Sequence, residues 1–257
     1  MDRYERLFER NFPLIDLETQ QKIRSLRVAI VGVGALSFVA EYLARLGVQK
    51  FILIDGDEIG PENINHQRYN FTNIGENKAK TLAEHLLQIN PEVEVTALPT
   101  HLLEQNFDEI WDTYLCNVDV VVDGIDPVPN IIISKKLARK CKEKGIIYLY
   151  PLDVGNGALL LTGAQQFEML LEGNDPLEML IKMVSKIKKY GITFPQRVNE
   201  ILEKCIEREL HYYPQTVLAA ATASLIVAAT IVQIIQNKKP PFLIYSDFIE
   251  GSFKCIE

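Results

Sequence analysis

The chain has 257 residues, 47% of them hydrophobic and 24% charged, enough for a full α/β core in one unit without covalent staples. A formal net charge of −7 excludes the basic character of a nucleic-acid binder. Cys116, Cys141, Cys205 and Cys255 form no Cys-x-x-Cys pair, so neither zinc nor a disulfide framework is expected. A start without the apolar core of a secretory signal points to a reducing cytoplasm.

Residues 1–26 read as a helical arm, with a short helix over 17–26 capped by Asp16. The apolar run Val28 to Val31 stops at Gly32, as a strand entering a glycine turn does. From Gly34, the residues Leu36, Val39, Ala40, Leu43 and Leu46 follow helical spacing as far as Gly47. Phe51 to Ile54 is a second strand, ending at Asp55.

The alternation continues with a helix over about 79–89, a strand near 93–97, a helix around 103–114 and the strand Val118 to Val122. A helix over about 131–144 and the strand Ile146 to Tyr150 follow. Residues 27–150 therefore predict a Rossmann-like, mostly parallel sheet with helices on both faces, which is an α/β fold.

Beyond Pro151 lies an extension, 151–257, within the same single domain. It carries a short strand at 158–162, a charged helical section over about 165–210 expected to act as an insertion or lid, and strands at 242–245 and 252–256. Between them, residues 216–235 form an uncharged run as long as a membrane span. Its Ala, Ser and Thr content favours a helix over about 214–236 buried between the sheet and a dimer partner, rather than a membrane segment.

The turn Gly32-Val33-Gly34-Ala35-Leu36-Ser37 follows a strand and opens a helix, the context of a nucleotide phosphate site. Ser37 stands where the third glycine of the dinucleotide fingerprint would be. Asp55, 23 residues after Gly32, is placed to accept hydrogen bonds from ribose hydroxyls, whereas Asp55 and Asp57 as plain turn formers around Gly56 are the alternative. A triphosphate needs a cation and Mg²⁺, and Lys78 at a helix start supplies such a charge. Asp123 and Asp126 lie just past a central strand, where Asp126 is the candidate magnesium ligand with Asp123 beside it. A strand-ending turn is the alternative there.

These features, in this order, resemble the ThiF/MoeB/HesA superfamily, which includes the ubiquitin-activating enzymes. The pattern is matched by Gly32 and Gly34, Asp55 and Asp57, Asn63 and Gln67, Gly75 with Lys78 and Ala79, and Asp123 with Asp126. The late Ala-rich helix after Tyr212-Tyr213-Pro214 also resembles members from peptide-modifying gene clusters. The resemblance implies ATP and Mg²⁺ as cofactors, and a homodimer in which Arg10, beside Asn11, reaches the partner subunit's ATP. It further implies that Asn63, His66, Gln67 and Arg68 line the nucleotide site. His66 falls where the family carries a phosphate-binding arginine, and Arg68 is the residue that would take over that work. The implied reaction is adenylation of a carboxylate on a peptide or small ubiquitin-like protein, with Arg10, Lys78 and Asp126 as its catalytic residues. Thioester transfer to Cys205 has no supporting motif. A catalytically weakened scaffold and an NAD-dependent dehydrogenase are the rival expectations.

Overall fold

The computed structural model describes residues 2–207, 209 and 212–257. The arm carries α1 (Arg3–Leu7) and α2 (Leu17–Ser25), and Asp16 caps α2 by accepting from the Thr19 amide. The alternating part contributes β1 (Arg27–Val31), α3 (Ser37–Leu46), β2 (Lys50–Ile54), α4 (Lys78–Ile89), β3 (Glu94–Leu98), α5 (Phe107–Ile110), β4 (Val120–Asp123), α6 (Pro127–Lys144) and β5 (Ile147–Val154). The rest is β6 (Gly157–Thr162), α7 (Ala164–Leu170), α8 (Pro176–Lys189), α9 (Gln196–Ile206), α10 (Val217–Ile235), β7 (Leu243–Asp247) and β8 (Ser252–Ile256).

One eight-stranded sheet runs in the order β3-β2-β1-β4-β5-β6-β7-β8. The pairs from β3 through β5 are parallel, and those from β5 through β8 are antiparallel. Alternate residues of each inner strand feed opposite cores. Ala29, Val31 and Val121 pack with α5 to α9, whereas Val28, Ile30, Val120 and Val122 pack with α2, α3, α4 and α10. The chain leaves β1 toward β2 on one side and returns to β4 on the other, so a crevice opens at the carboxyl ends of β1 and β4.

Three expectations are corrected. The helix expected over 103–114 is regular only from Phe107, because the Asn106 side chain binds the Leu103 amide and turns the chain beforehand; from Trp111 to Leu115 it widens into a π turn. β5 runs on past Tyr150 to Val154, since it leaves β4 after Leu149 and continues against β6. The expected lid is a packed layer: Met179, Met183, Ile187, Phe194 and Val198 are buried in the core beside α6. Residues 208 and 210, at the end of that section, lie outside the described residues.

Among the described residues α10 is the one helix long and apolar enough to cross a bilayer. It packs on β5, β6 and α3, leaving Val217, Leu218 and Leu225 exposed.

Candidate functional site

The glycine turn is shaped by a close approach between backbones. Gly32 has φ +82°, and a Cβ there would stand 2.5 Å from the Gly124 carbonyl oxygen. The Gly32 amide donates to Ile54 O and the Gly124 amide to Val31 O, so the ends of β1, β2 and β4 are joined at this point. Only glycine meets both the positive φ and the contact.

Asp55 clamps the turn from the end of β2. Its Oδ2 accepts from the Val33 amide at 2.8 Å and its Oδ1 from the Asp57 amide at 2.9 Å. Each oxygen keeps a further lone pair for a ribose hydroxyl. Burial raises the Asp55 pKa, opposed by those amides and by Lys78. Asn77, which caps α4, donates to the carbonyls of both Asp55 and Asp57 at 3.0 Å and sets Lys78 at the first position of that helix. The buried Lys78 ammonium lies 3.0 Å from Asp57 Oδ2. Tyr69 completes the frame, its hydroxyl donating to Val33 O and Lys78 O.

Asp126 is exposed and accepts no hydrogen bond among the described residues. The protein atoms around the crevice still desolvate its carboxyl and raise its pKa, Lys78 opposes this, and Asp57 and Asp55 reinforce it. Asp55, Asp57, Lys78 and Asp126 thus share one electrostatic neighbourhood, with Asp126 as the carboxylate free to take a cation.

Three sequence expectations end elsewhere, and a fourth residue, Arg10, is expected to act on the partner subunit's ATP. Asp123 is fully buried; Tyr148 donates to its Oδ2 at 2.7 Å and the Ile125 amide to its Oδ1 at 3.0 Å. Burial pushes its pKa up to about 6, and it has no open side for a metal. Arg68 turns away from the glycine turn to pair through Nε with Glu41, which also binds Arg45 at 2.7 Å, so it does not replace the missing phosphate arginine. Asn63 uses its Oδ1 to accept the Gly60 amide, closing its own loop. Arg10 is exposed on the arm and has no ion-pair partner among the described residues. Its neighbour Asn11 binds Leu46 O at the far end of α3 from the turn, so Arg10 is not in its own chain's crevice.

His66 and Gln67 are buried beside the turn, with Gln67 Nε2 only 3.1 Å from where a Cβ on Gly34 would stand. Ser37 is buried as well: its hydroxyl donates to Gly34 O and accepts from the Arg68 amide, fastening the loop to the start of α3.

Several residues had no signature in the sequence. His101 lies 3.4 Å from Asp57 and, with Asp55 and Asp57, forms a cluster of three side chains with metal-ligating atoms close together. Asp153 lies on the part of β5 beyond β4; its pKa is pushed up to about 7 by burial, with Gln215 opposing and Asp126 adding to the rise. The loop before α10 closes over it through Gln215 to Asp153, Thr216 to Asn156 and the Gly155 amide to Tyr213 Oη. Cys205, on α9, has its thiol pKa raised by burial and donates toward Tyr212 O, which is not the setting of an activated thiolate.

A nucleotide crevice at the carboxyl edge of a Rossmann-like sheet, with a lysine and three carboxylates around a glycine turn, defines the class. The chain belongs to the ThiF family, which matches residues 4–250, and is an adenylyltransferase-like member of it. It is 31% identical over 188 residues to the tRNA threonylcarbamoyladenosine dehydratase of Bacillus subtilis, covering 72% of this chain and 70% of that protein. It is 33% identical to the sulfur carrier protein adenylyltransferase of Thermus thermophilus, over 50% of this chain and 46% of that one. Against several other relatives, such as uba4 of Aspergillus clavatus, it spans only 25% of their length. Among solved structures, E. coli MccB with ATP superposes with a TM-score of 0.71 at 17% identity, covering 97% of this chain and 70% of that one. E. coli TcdA, the tRNA N6-threonylcarbamoyladenosine dehydratase, superposes with 0.67 at 20% identity, covering 92% and 96%.

Proposed function

We propose that this chain binds ATP in the crevice and adenylates a carboxylate on a peptide or small ubiquitin-like protein. The observation that carries the proposal is the meeting of Lys78, Asp55, Asp57 and Asp126 at a glycine turn with no room for a Cβ at Gly32. In this reading the turn and the α4 start receive phosphates, Asp55 accepts the ribose, and Lys78 offsets negative charge as the acyl oxygen attacks the α-phosphate. The reaction gives an acyl-adenylate and pyrophosphate, and no protein nucleophile is needed.

Magnesium fits the donor set. Asp126 would hold it, with Asp57 near, and when bound it would supply charge neutralisation on the phosphate oxygens. Arg10 would enter from a second copy of the chain, so this reading requires a homodimer. The acyl group would lie toward Asp153, Gln215 and the β5–β6 turn, where Val198 of α9 closes on Gly155.

The test is ATP–pyrophosphate exchange with candidate peptides, repeated with Asp126→Ala and Arg10→Ala. Substrate-dependent exchange lost in both variants is the expected result. ATP binding without exchange would favour a scaffold, and NAD binding without response to ATP a dehydrogenase. One observation favours a second reading, since the Bacillus relative is named for a tRNA-borne group; the net charge of −7 weighs against it. Exchange stimulated by tRNA and by no peptide would select that reading.

A further inference from the structure

The hydrogen bonds around His66 fix its tautomer. Asn65 Nδ2 donates to the Gln215 carbonyl at 3.0 Å, which leaves Asn65 Oδ1 as the acceptor 2.7 Å from His66 Nδ1. In a neutral ring the single proton therefore sits on Nδ1, and Nε2 is an acceptor. Gln67 supplies the donor, its Nε2 lying 3.1 Å from His66 Nε2. That orientation leaves Gln67 Oε1 buried with no hydrogen-bond partner among the described residues, at a cost of about 1–3 kcal/mol. The amide lies against Gly34, its nitrogen 3.1 Å and its oxygen 3.7 Å from where a Cβ would stand. In the free protein an unsatisfied acceptor thus sits beside the turn assigned above to phosphate.

A proton on Nε2 reverses these polarities. The ring becomes a double donor, the Gln67 amide turns over so that Oε1 accepts from Nε2–H, and its NH₂ takes the place of the orphaned oxygen. We infer that His66 is an anion-dependent switch: a bound triphosphate draws a proton from solvent onto Nε2 and so turns Gln67 into a phosphate donor. His66 is thereby a positioning residue, acting on the phosphates through Gln67.

The groups facing the ring are consistent with this. Burial and Lys78 of α4 hold the imidazole below its ordinary pKa, whereas Gln215, on the loop before α10, and Glu62, before the loop's own turn, favour the charged form. A triphosphate carries about four negative charges, which screen Lys78 and attract the proton. By linkage, an upward move of about one pH unit in the titration of His66 corresponds to tenfold tighter ATP binding by the protonated form.

The inference rests on the ATP reading, and ring-¹⁵N NMR separates the two. The histidines are His66, His85, His101 and His211, and His66→Gln assigns the signal; should that variant not fold, substituting the other three singly assigns it. At pH 7.5 the free protein is expected to show His66 as the Nδ1–H tautomer, and saturating Mg·ATP to protonate both nitrogens. The titration midpoint, which starts below 6.5 in the free protein, should therefore rise by clearly more than about one unit, past the pH of the measurement. ATP that shifts neighbouring signals while His66 stays neutral overturns the switch and leaves ATP binding standing. ATP that binds nowhere overturns the functional reading and the switch with it.

Discussion

Gly32→Ala tests the turn most directly. The new Cβ would meet Gly124 O at 2.5 Å, Gly124 C at 2.7 Å and the Ile125 amide nitrogen at 3.2 Å, at a residue whose φ is +82°. Left-handed backbone costs an alanine about 1 kcal/mol relative to glycine, and forcing an atom into packed backbone adds roughly 1–3 kcal/mol. Together these predict a loss of about 2–4 kcal/mol, or roughly 5–15 °C in Tm for a chain of this size. The chain relieves the clash by moving the Gly124–Ile125 peptide, which leads directly to Asp126. Pyrophosphate exchange should therefore fall more than about tenfold even where the variant is fully folded, at 15 °C. Gly75→Ala is the matched control, with φ +90° and nothing within 4 Å; it should lose only about 1 kcal/mol and keep its exchange. Denaturant unfolding and exchange on both variants decide the matter. Equal destabilisation, or full exchange in Gly32→Ala, would refute the claim that the turn works by close contact with Gly124.

Arg10→Ala and Lys78→Met should each be inactive alone, yet mixed and re-equilibrated they should regain about a quarter of wild-type exchange if Arg10 acts across a two-fold dimer; no recovery places Arg10 outside the reaction. Asp153→Asn should stabilise the protein at pH 8 by on the order of 1–2 kcal/mol and change little at pH 4. The sign follows from a folded pKa of about 7 against an ordinary value of 3.8: the folded state binds the extra proton, so wild-type stability falls as pH rises through that window. Unfolding curves at both pH values check this. Asp57→Asn should tighten magnesium-free ATP about fivefold, because it frees Lys78 from a partner at 3.0 Å that is half exposed and worth about 1 kcal/mol; unchanged affinity by calorimetry would remove Lys78 from the phosphate site.

The parallel half of the fold was legible because its signals are local. Apolar strands of four or five residues, each followed by helical spacing, leave few alternatives, and Gly32, Asp55, Lys78 and Asp126 occupy strand ends and helix starts that such alternation brings to one edge. The failures are side chains whose direction depends on distant partners. Arg68 reads as a spare phosphate cation until α3 supplies Glu41, 27 residues earlier in the chain. Asp123 could be read in sequence as a second ligand beside Asp126, and it is Tyr148 from the adjoining strand that seals it. Asp153 and Gln215 are 62 residues apart and meet because β5 outruns β4, which no periodicity reports.

Ser37 and His66 set this chain apart from a glycine-rich, arginine-bearing site, and the structure gives them different weights. Ser37 is a structural substitution: its hydroxyl satisfies Gly34 O and the Arg68 amide, and the turn closes without a third glycine. His66 changes the electrostatics, because with Arg68 committed to Glu41 the permanent cation near the crevice, among the described residues, is Lys78, already facing Asp57. One partly compensated lysine is too little for about four phosphate charges, which must find further positive charge as they bind. A metal on Asp126, Arg10 from a second chain and a proton on His66 would each supply it only when the nucleotide, the partner or both are present. On that account the free site, with three carboxylates around one ammonium, is poor at holding anions, and its affinity for ATP is assembled during binding.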